Sequence, residues 1–167
     1  MPIDPLDFRR VMGTFATGVT VITMPTRDGG AWGMTANSVT SLSLDPILVL
    51  VCIDKSTRTH QFMLESDVWA VNILSADQEA ISRTFALKDF QEQERMMVGT
   101  PWRPGLTGAP IIEGCLSYLD CRTYATYEGG DHTIFLGEVQ EAVVDETKTE
   151  PLLFYRGRYA RLAPPPG

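Results

Sequence analysis

Between Gly33 and Ser38 the chain reads Gly-Met-Thr-Ala-Asn-Ser, and after Ser41-Leu42-Ser43-Leu44-Asp45-Pro46 it enters the apolar run Ile47 to Ile53. Small and hydroxylated residues along a strand leave backbone amides open to close approach, and the apolar run beside them supplies a greasy wall. Such a surface suits a flat ligand with polar edges, for which Thr35, Ala36, Asn37 and Ser38 offer donors, acceptors and room. The same residues also make an ordinary strand edge whose hydroxyls bond their neighbours.

A second cluster follows the apolar run. Lys55-Ser56-Thr57-Arg58-Thr59 stands at the start of a helix predicted over Ser56 to Glu65, where backbone N–H groups, hydroxyls and two cations converge. A phosphate monoester or diphosphate requires that combination, although a helix cap flanked by solvated charges uses the same residue types. The third landmark is Gly130-Asp131-His132, a glycine turn carrying one of only two histidines; the other is His60. A histidine there serves as a turn residue or as a ligand contact. No Gly-x-Gly-x-x-Gly or Walker-type lysine loop occurs, so a dinucleotide would have to bind outside a Rossmann domain.

Composition narrows the classes. At 167 residues the chain is expected to form a single domain, residues 1–167, burying roughly 70% of its unfolded surface. A net charge of −7 argues against nucleic-acid binding, which needs cations to neutralise phosphates. No apolar run reaches the length of a membrane span and no leader-like segment opens the chain, so a cytoplasmic location is expected. Cys52, Cys115 and Cys121 lack zinc-site spacing, so no metal is expected. Cys115 and Cys121, an even number of residues apart, are read as core thiols on one strand face.

Elements that would position these groups follow from pattern. Asp4-Pro5 opens a helix whose apolar positions Leu6 or Phe8, Val11, Met12 and Phe15 predict an amphipathic helix laid on a core. Thr17 to Met24 alternates as a strand, and Pro25 to Gly30 supplies a turn into the next strand near Trp32. Ile47 to Ile53, apolar on both faces, predicts a central strand. A strand over Val68 to Leu74 leads to Ser75-Ala76-Asp77-Gln78, a capping box opening a helix toward Phe85. Leu87 to Pro110 lacks sustained periodicity and reads as a long excursion, with one helical turn around Phe90 to Met97. Strands over Gly114 to Tyr127 and Thr133 to Val144 flank the glycine turn as a hairpin. A last strand over Leu152 to Leu162 precedes a tail, 164–167, expected to be disordered.

In order and over Phe8 to Leu162, the chain resembles the short-chain flavin reductases, the small partners of two-component flavin monooxygenases. The resemblance rests on Gly33 to Ser38, Ala16-Thr17-Gly18-Val19-Thr20-Val21, Ala70-Val71-Asn72-Ile73-Leu74 followed by Gln78, Gly130-Asp131-His132, and Pro151-Leu152-Leu153 before Tyr155. It implies a mainly β fold with flanking helices, an antiparallel split β-barrel of the FMN-binding type. It also implies an NAD(P)H:flavin oxidoreductase that reduces FMN or FAD with NADH or NADPH and releases the product to a separate flavin-dependent monooxygenase. A homodimer with flavin near the subunit interface is implied as well.

The resemblance places Thr35, Ala36, Asn37 and Ser38 along the flavin, with the backbone of Cys52 and Ile53 beside them. Lys55, Ser56 and Thr59 are implied at the cofactor phosphate, and Phe85, Ala86 and Tyr155 at the cofactor edge. His132 would contact the nicotinamide, with Asp131 orienting it. No protein nucleophile or base is expected, because the redox chemistry resides in the cofactor rings. The alternative is a split-barrel module that binds flavin without turnover. A pyridoxamine phosphate oxidase-like enzyme shares the general barrel but would need a further cationic phosphate site that the sequence does not display.

Overall fold

A computed structural model describes residues 2–87, 97 and 99–163. Its first element is helix α1, Pro5–Met12, capped by the Asp4 carboxylate, which accepts from the Leu6 N–H at 2.7 Å. The predicted helix is present, but it is not laid on the core. None of its residues is buried, and Leu6, Val11 and the following Phe15 are 65%, 67% and 71% exposed. The barrel interior is already filled by strand side chains, so the apolar stripe of α1 finds no partner within the described protomer.

The strands are β1 (Thr17–Gly18), β2 (Thr20–Pro25), β3 (Ala31–Ala36), β4 (Val39–Leu44) and β5 (Ile47–Asp54), followed by helix α2 (Arg58–Glu65) and β6 (Val68–Ile73). After a 3-10 turn over Ala76–Gln78 come α3 (Glu79–Phe85), β7 (Trp102–Pro104), β8 (Pro110–Ile112), β9 (Ser117–Gly129), β10 (His132–Val144), β11 (Leu153–Tyr155) and β12 (Arg158–Ala160). Seven strands form one antiparallel sheet in the order β3-β2-β6-β9-β10-β5-β4. β3 and β4 lie at opposite ends of that order, yet only Asn37 and Ser38 separate them in the chain. The three steps from Ala36 to Val39 reach at most about 11 Å, so the sheet must curl until its edges meet, which makes a barrel with a split at Asn37-Ser38.

The interior confirms the curl. Ile22 and Met24 of β2, Trp32 of β3, Val49, Val51 and Ile53 of β5, Trp69 and Val71 of β6, and Phe135 of β10 share one buried cluster. Gly137 is required by this packing, because a Cβ there would stand 2.5 Å from the Trp69 ring. Asn72, buried near the end of β6, is a structural pin. Its amide donates to the Val21 carbonyl and the Thr23 hydroxyl, and its carbonyl oxygen accepts from the Ile112 N–H at 2.8 Å. Burying an amide is tolerated where its partners are in place.

Several expectations are corrected. β5 is next to the sheet edge rather than central; β9 and its neighbours hold the middle. Val49, Val51 and Ile53 on one face are buried, although Ile47 at the start of that face is exposed, while on the other face Leu48 is buried and Leu50 and Cys52 are half-buried. The single strand expected over Leu152 to Leu162 is the hairpin β11-β12, broken by Arg156 and Gly157, both with positive φ. Such a pair forms a tight turn that pure alternation conceals. Cys115 and Cys121 are buried and free, as core thiols, but Cys115 precedes β9 and packs in a different cluster from Cys121.

The capping box is present: Gln78 reaches back to accept from the Ser75 N–H at 3.2 Å. The expected excursion contains the small hairpin β7-β8. The helical turn expected around Phe90 to Met97 falls mostly outside the described residues, as does the tail 164–167. Among the described residues no helix is long and apolar enough to cross a membrane.

Candidate functional site

The split in the barrel is where the small-residue segment lies. Asn37 and Ser38 are exposed at the junction of β3 and β4, and Ser38 continues the β4-β5 pairing. Its hydroxyl donates to the Cys52 carbonyl at 2.9 Å, and the Cys52 N–H donates to the Ser38 carbonyl at 3.2 Å. Ala36 is buried in the β2-β3 ladder. Thr35 points its hydroxyl to the Ser82 carbonyl of α3 at 2.7 Å, which ties the segment to that helix. Cys52 is half-buried on the open face of β5, where burial raises its thiol pKa, and Ile53 faces the core.

β5 then delivers the chain to the second cluster. Asp54 takes the Ser56 N–H and hydroxyl, both at 2.8 Å, and this pair holds its carboxyl below the ordinary range. The helix cap is Thr57, whose oxygen accepts from the His60 N–H and whose hydroxyl donates to the Asp54 carbonyl. No acid occupies the first turn of α2, so the positive end of its dipole is not neutralised within the helix. Lys55 sits one residue before Ser56, half-exposed, with its ammonium donating to Glu128 and to the Gly130 carbonyl.

Thr59 is elsewhere. It is 2% exposed and its hydroxyl accepts from the Trp32 indole N–H at 2.9 Å, so the helical turn that exposes Ser56 rotates Thr59 inward. Its expected place at a phosphate does not match this orientation.

The β9-β10 hairpin brings the third cluster to the same place. Gly130 adopts φ 74° at the tip, and the Lys55 N–H donates to the Asp131 carbonyl at 3.0 Å. His132 stands directly opposite Asp54, and its Nδ1 lies 2.7 Å from the Asp131 carboxylate. Next to it, Thr133 meets His60 Nε2 at 2.9 Å. The fold thus gathers Asn37, Ser38, Cys52, Lys55, Ser56, Asp131 and His132 along one end of β5, although the first and the last stand 95 positions apart in the sequence.

The other expected residues are not in this group. Phe85 is fully buried, with its ring under Gly33, where a Cβ would approach it to 3.0 Å. Ala86 is exposed in a groove shared with Arg83, Leu87, Phe154 and Tyr159. Tyr155 is 41% exposed, under the Arg156 guanidinium. Thr35 connects this side to the split, since the Ser82 that takes its hydroxyl also bonds the Tyr159 hydroxyl at 2.8 Å. Sequence reading missed Thr57 as the cap and the Ser82–Tyr159 pair. A threonine before the first helical residue was a visible signal for the former; nothing in the sequence signals the latter. Among the described residues no group of His, Cys, Asp or Glu could hold a metal ion.

The donor set fits a phosphorylated flavin. Exposed amide and hydroxyl groups lie at the split for a ring edge, and at the end of the same strand a lysine, a serine now bonded by Asp54 and a helix whose first turn carries no acid lie where the phosphate would bind.

Comparison with known proteins agrees with this chemistry. The model of the flavin reductase like domain matches residues 12–163. The chain is 41% identical over 163 residues to the reductase subunit HsaB of a flavin-dependent monooxygenase from Mycobacterium tuberculosis, covering 97% of this chain and 84% of that one. It is 44% identical over 166 residues to an NADH-dependent FAD reductase of Streptomyces globisporus, covering 98% and 88% respectively. Among solved structures, the Streptomyces globisporus NADH:FAD oxidoreductase SgcE6 in complex with NAD and FAD fragments superposes with a TM-score of 0.86 at 42% identity, over 99% of this chain and 98% of that one.

Proposed function

Because this chain belongs to the flavin reductase like domain family, we propose that it is an NADH-dependent flavin reductase that passes reduced FMN or FAD to a separate flavin-dependent monooxygenase. The observation that carries the reading is the end of β5, where Ser38 bonds Cys52, His132 pairs with Asp54, and Lys55 and Ser56 follow directly in the chain.

Hydride transfer is supplied by the nicotinamide and flavin rings when both are bound. The chain's own residues bind and orient. Thr35, Ala36, Asn37 and Ser38, with the backbone of Cys52 and Ile53, would line the flavin edge. Lys55 and Ser56 at the start of α2 would hold its phosphate, with Thr57 fixing the turn. His132 would seat the nicotinamide, and Asp131 would fix the imidazole tautomer by accepting from Nδ1–H, which leaves Nε2 as an acceptor when the ring is neutral. Ala86 and Tyr155 remain proposed edge contacts, and Phe85 supports them from the core.

The same site favours a homodimer. Asn37 and Ser38 lie on an open surface of the protomer, and the apolar stripe of α1 is uncovered. A second copy over that stripe would bury it.

Steady-state oxidation of NADH with FMN, FAD and riboflavin tests the activity. Turnover that rises with added flavin and exceeds that with NADPH is expected. A protein that binds flavin with negligible turnover would instead be a flavin-holding module.

A further inference from the structure

Resting on the reading of Lys55 as a phosphate ligand, we propose that Glu128 is a built-in competitor for that lysine and so sets how much the flavin phosphate adds to binding. Lys55 directly precedes Ser56 in the chain, and two of its three ammonium donors are already engaged, by the Glu128 carboxylate and by the Gly130 carbonyl at 2.8 Å. Glu128 is the penultimate residue of β9, so the hairpin carries its carboxylate to the site. The Lys55 and Glu128 side chains are 36% and 83% exposed, which makes the pair water-screened and readily exchanged. Lys55 holds the Glu128 carboxyl below its ordinary range, so the competitor is ionised at neutral pH.

A carboxylate and a phosphate monoester ask for the same donors. An arriving phosphate must therefore displace Glu128 or share the ammonium with it, against the repulsion of a second negative charge. Riboflavin makes no such demand. The hairpin does not need the carboxylate to stay in place, because the Lys55 N–H also donates to the Asp131 carbonyl. A reductase that must give its flavin away is served by a phosphate site weakened in this manner.

Glu128→Gln removes the charge and keeps the shape. Titration of FMN and riboflavin into this variant at low ionic strength should show FMN binding roughly two- to five-fold tighter, the worth of an exposed ion pair, and riboflavin binding unchanged. The gain should shrink in 0.5 M salt, about where such pairs are screened. An unchanged ratio of FMN to riboflavin affinity would overturn the proposal, and so would weaker FMN binding, which would make Glu128 a support for Lys55. Lys55→Met separates the two readings. If it leaves the ratio unaltered, the phosphate assignment itself fails. If it weakens FMN selectively while Glu128→Gln is silent, only the role of Glu128 falls.

Discussion

Asp54 and His132 face each other as a pair on neighbouring antiparallel strands. Each organises a different partner: Asp54 gathers the Ser56 N–H and hydroxyl, and His132 turns Nδ1 toward Asp131. Paired residues in such a ladder have Cα atoms about 4.5–5.5 Å apart. The proposed phosphate end of the flavin and the proposed nicotinamide contact are therefore one rung apart on the sheet.

His132→Ala should leave flavin affinity within a small factor and lower the rate of reduction. Losing one contact of about 1–2 kcal/mol corresponds to roughly five- to thirty-fold in kcat/KM. Anaerobic stopped-flow reduction of the flavin-saturated variant measures this, alongside its Tm. An unaltered hydride-transfer rate with unaltered NADH affinity would leave Gly130-Asp131-His132 as a turn alone.

Thr59→Ala and Ser56→Ala should behave oppositely. The first removes the Thr59 hydroxyl that accepts from the buried Trp32 indole at 2.9 Å, at a cost of about 0.5–1.5 kcal/mol in stability for the lost bond, with no change in the ratio of FMN to riboflavin affinity. The second touches an exposed turn and should weaken FMN selectively. Denaturant unfolding and flavin titration on both variants check the contrast. A selective loss of FMN affinity in Thr59→Ala would show that α2 turns to bring Thr59 outward.

The three thiols should differ in reactivity. Burial raises the pKa of Cys115 and pushes Cys121 up to about 12, against an ordinary value of 9.0. A folded-state pKa above the unfolded one contributes stability that is complete below pH 9 and is lost as pH rises toward 12. Near pH 8 a thiol reagent should modify Cys52 slowly and spare the other two until the protein unfolds. Saturating FMN should protect Cys52 further; protection by NADH alone would contradict the flavin placement.

Leu6→Asp combined with Val11→Asp should yield a folded monomer. Both positions are exposed in the protomer, so Tm should change little apart from what association contributes. Light scattering of the wild type is expected to give twice the chain mass and of the variant the chain mass. A variant that remains dimeric would move the interface away from α1.

The capping box at Ser75 and Gln78, the β2-β3 hairpin and the β9-β10 hairpin were legible because each depends on residues a few positions apart. The position of β5 was not. Its apolar run reads as central, yet Leu50 and Cys52 face outward, since a strand beside a split barrel's edge is covered fully on one side only. The α1 stripe was read correctly as amphipathic and wrongly as packed, because periodicity gives the face and not what covers it.

For the candidate site, the sequence by itself determined the chemical inventory: small residues before an apolar strand, a lysine and serine at a helix start, and a histidine beside a glycine turn. Tertiary structure decided which of these meet. Lys55 reaches Glu128 and Gly130 across more than seventy residues, a juxtaposition set by the strand order rather than by local spacing. Thr59 was separated from Ser56 for a simpler reason, because three residues along a helix that begins between them turned one outward and the other into the core.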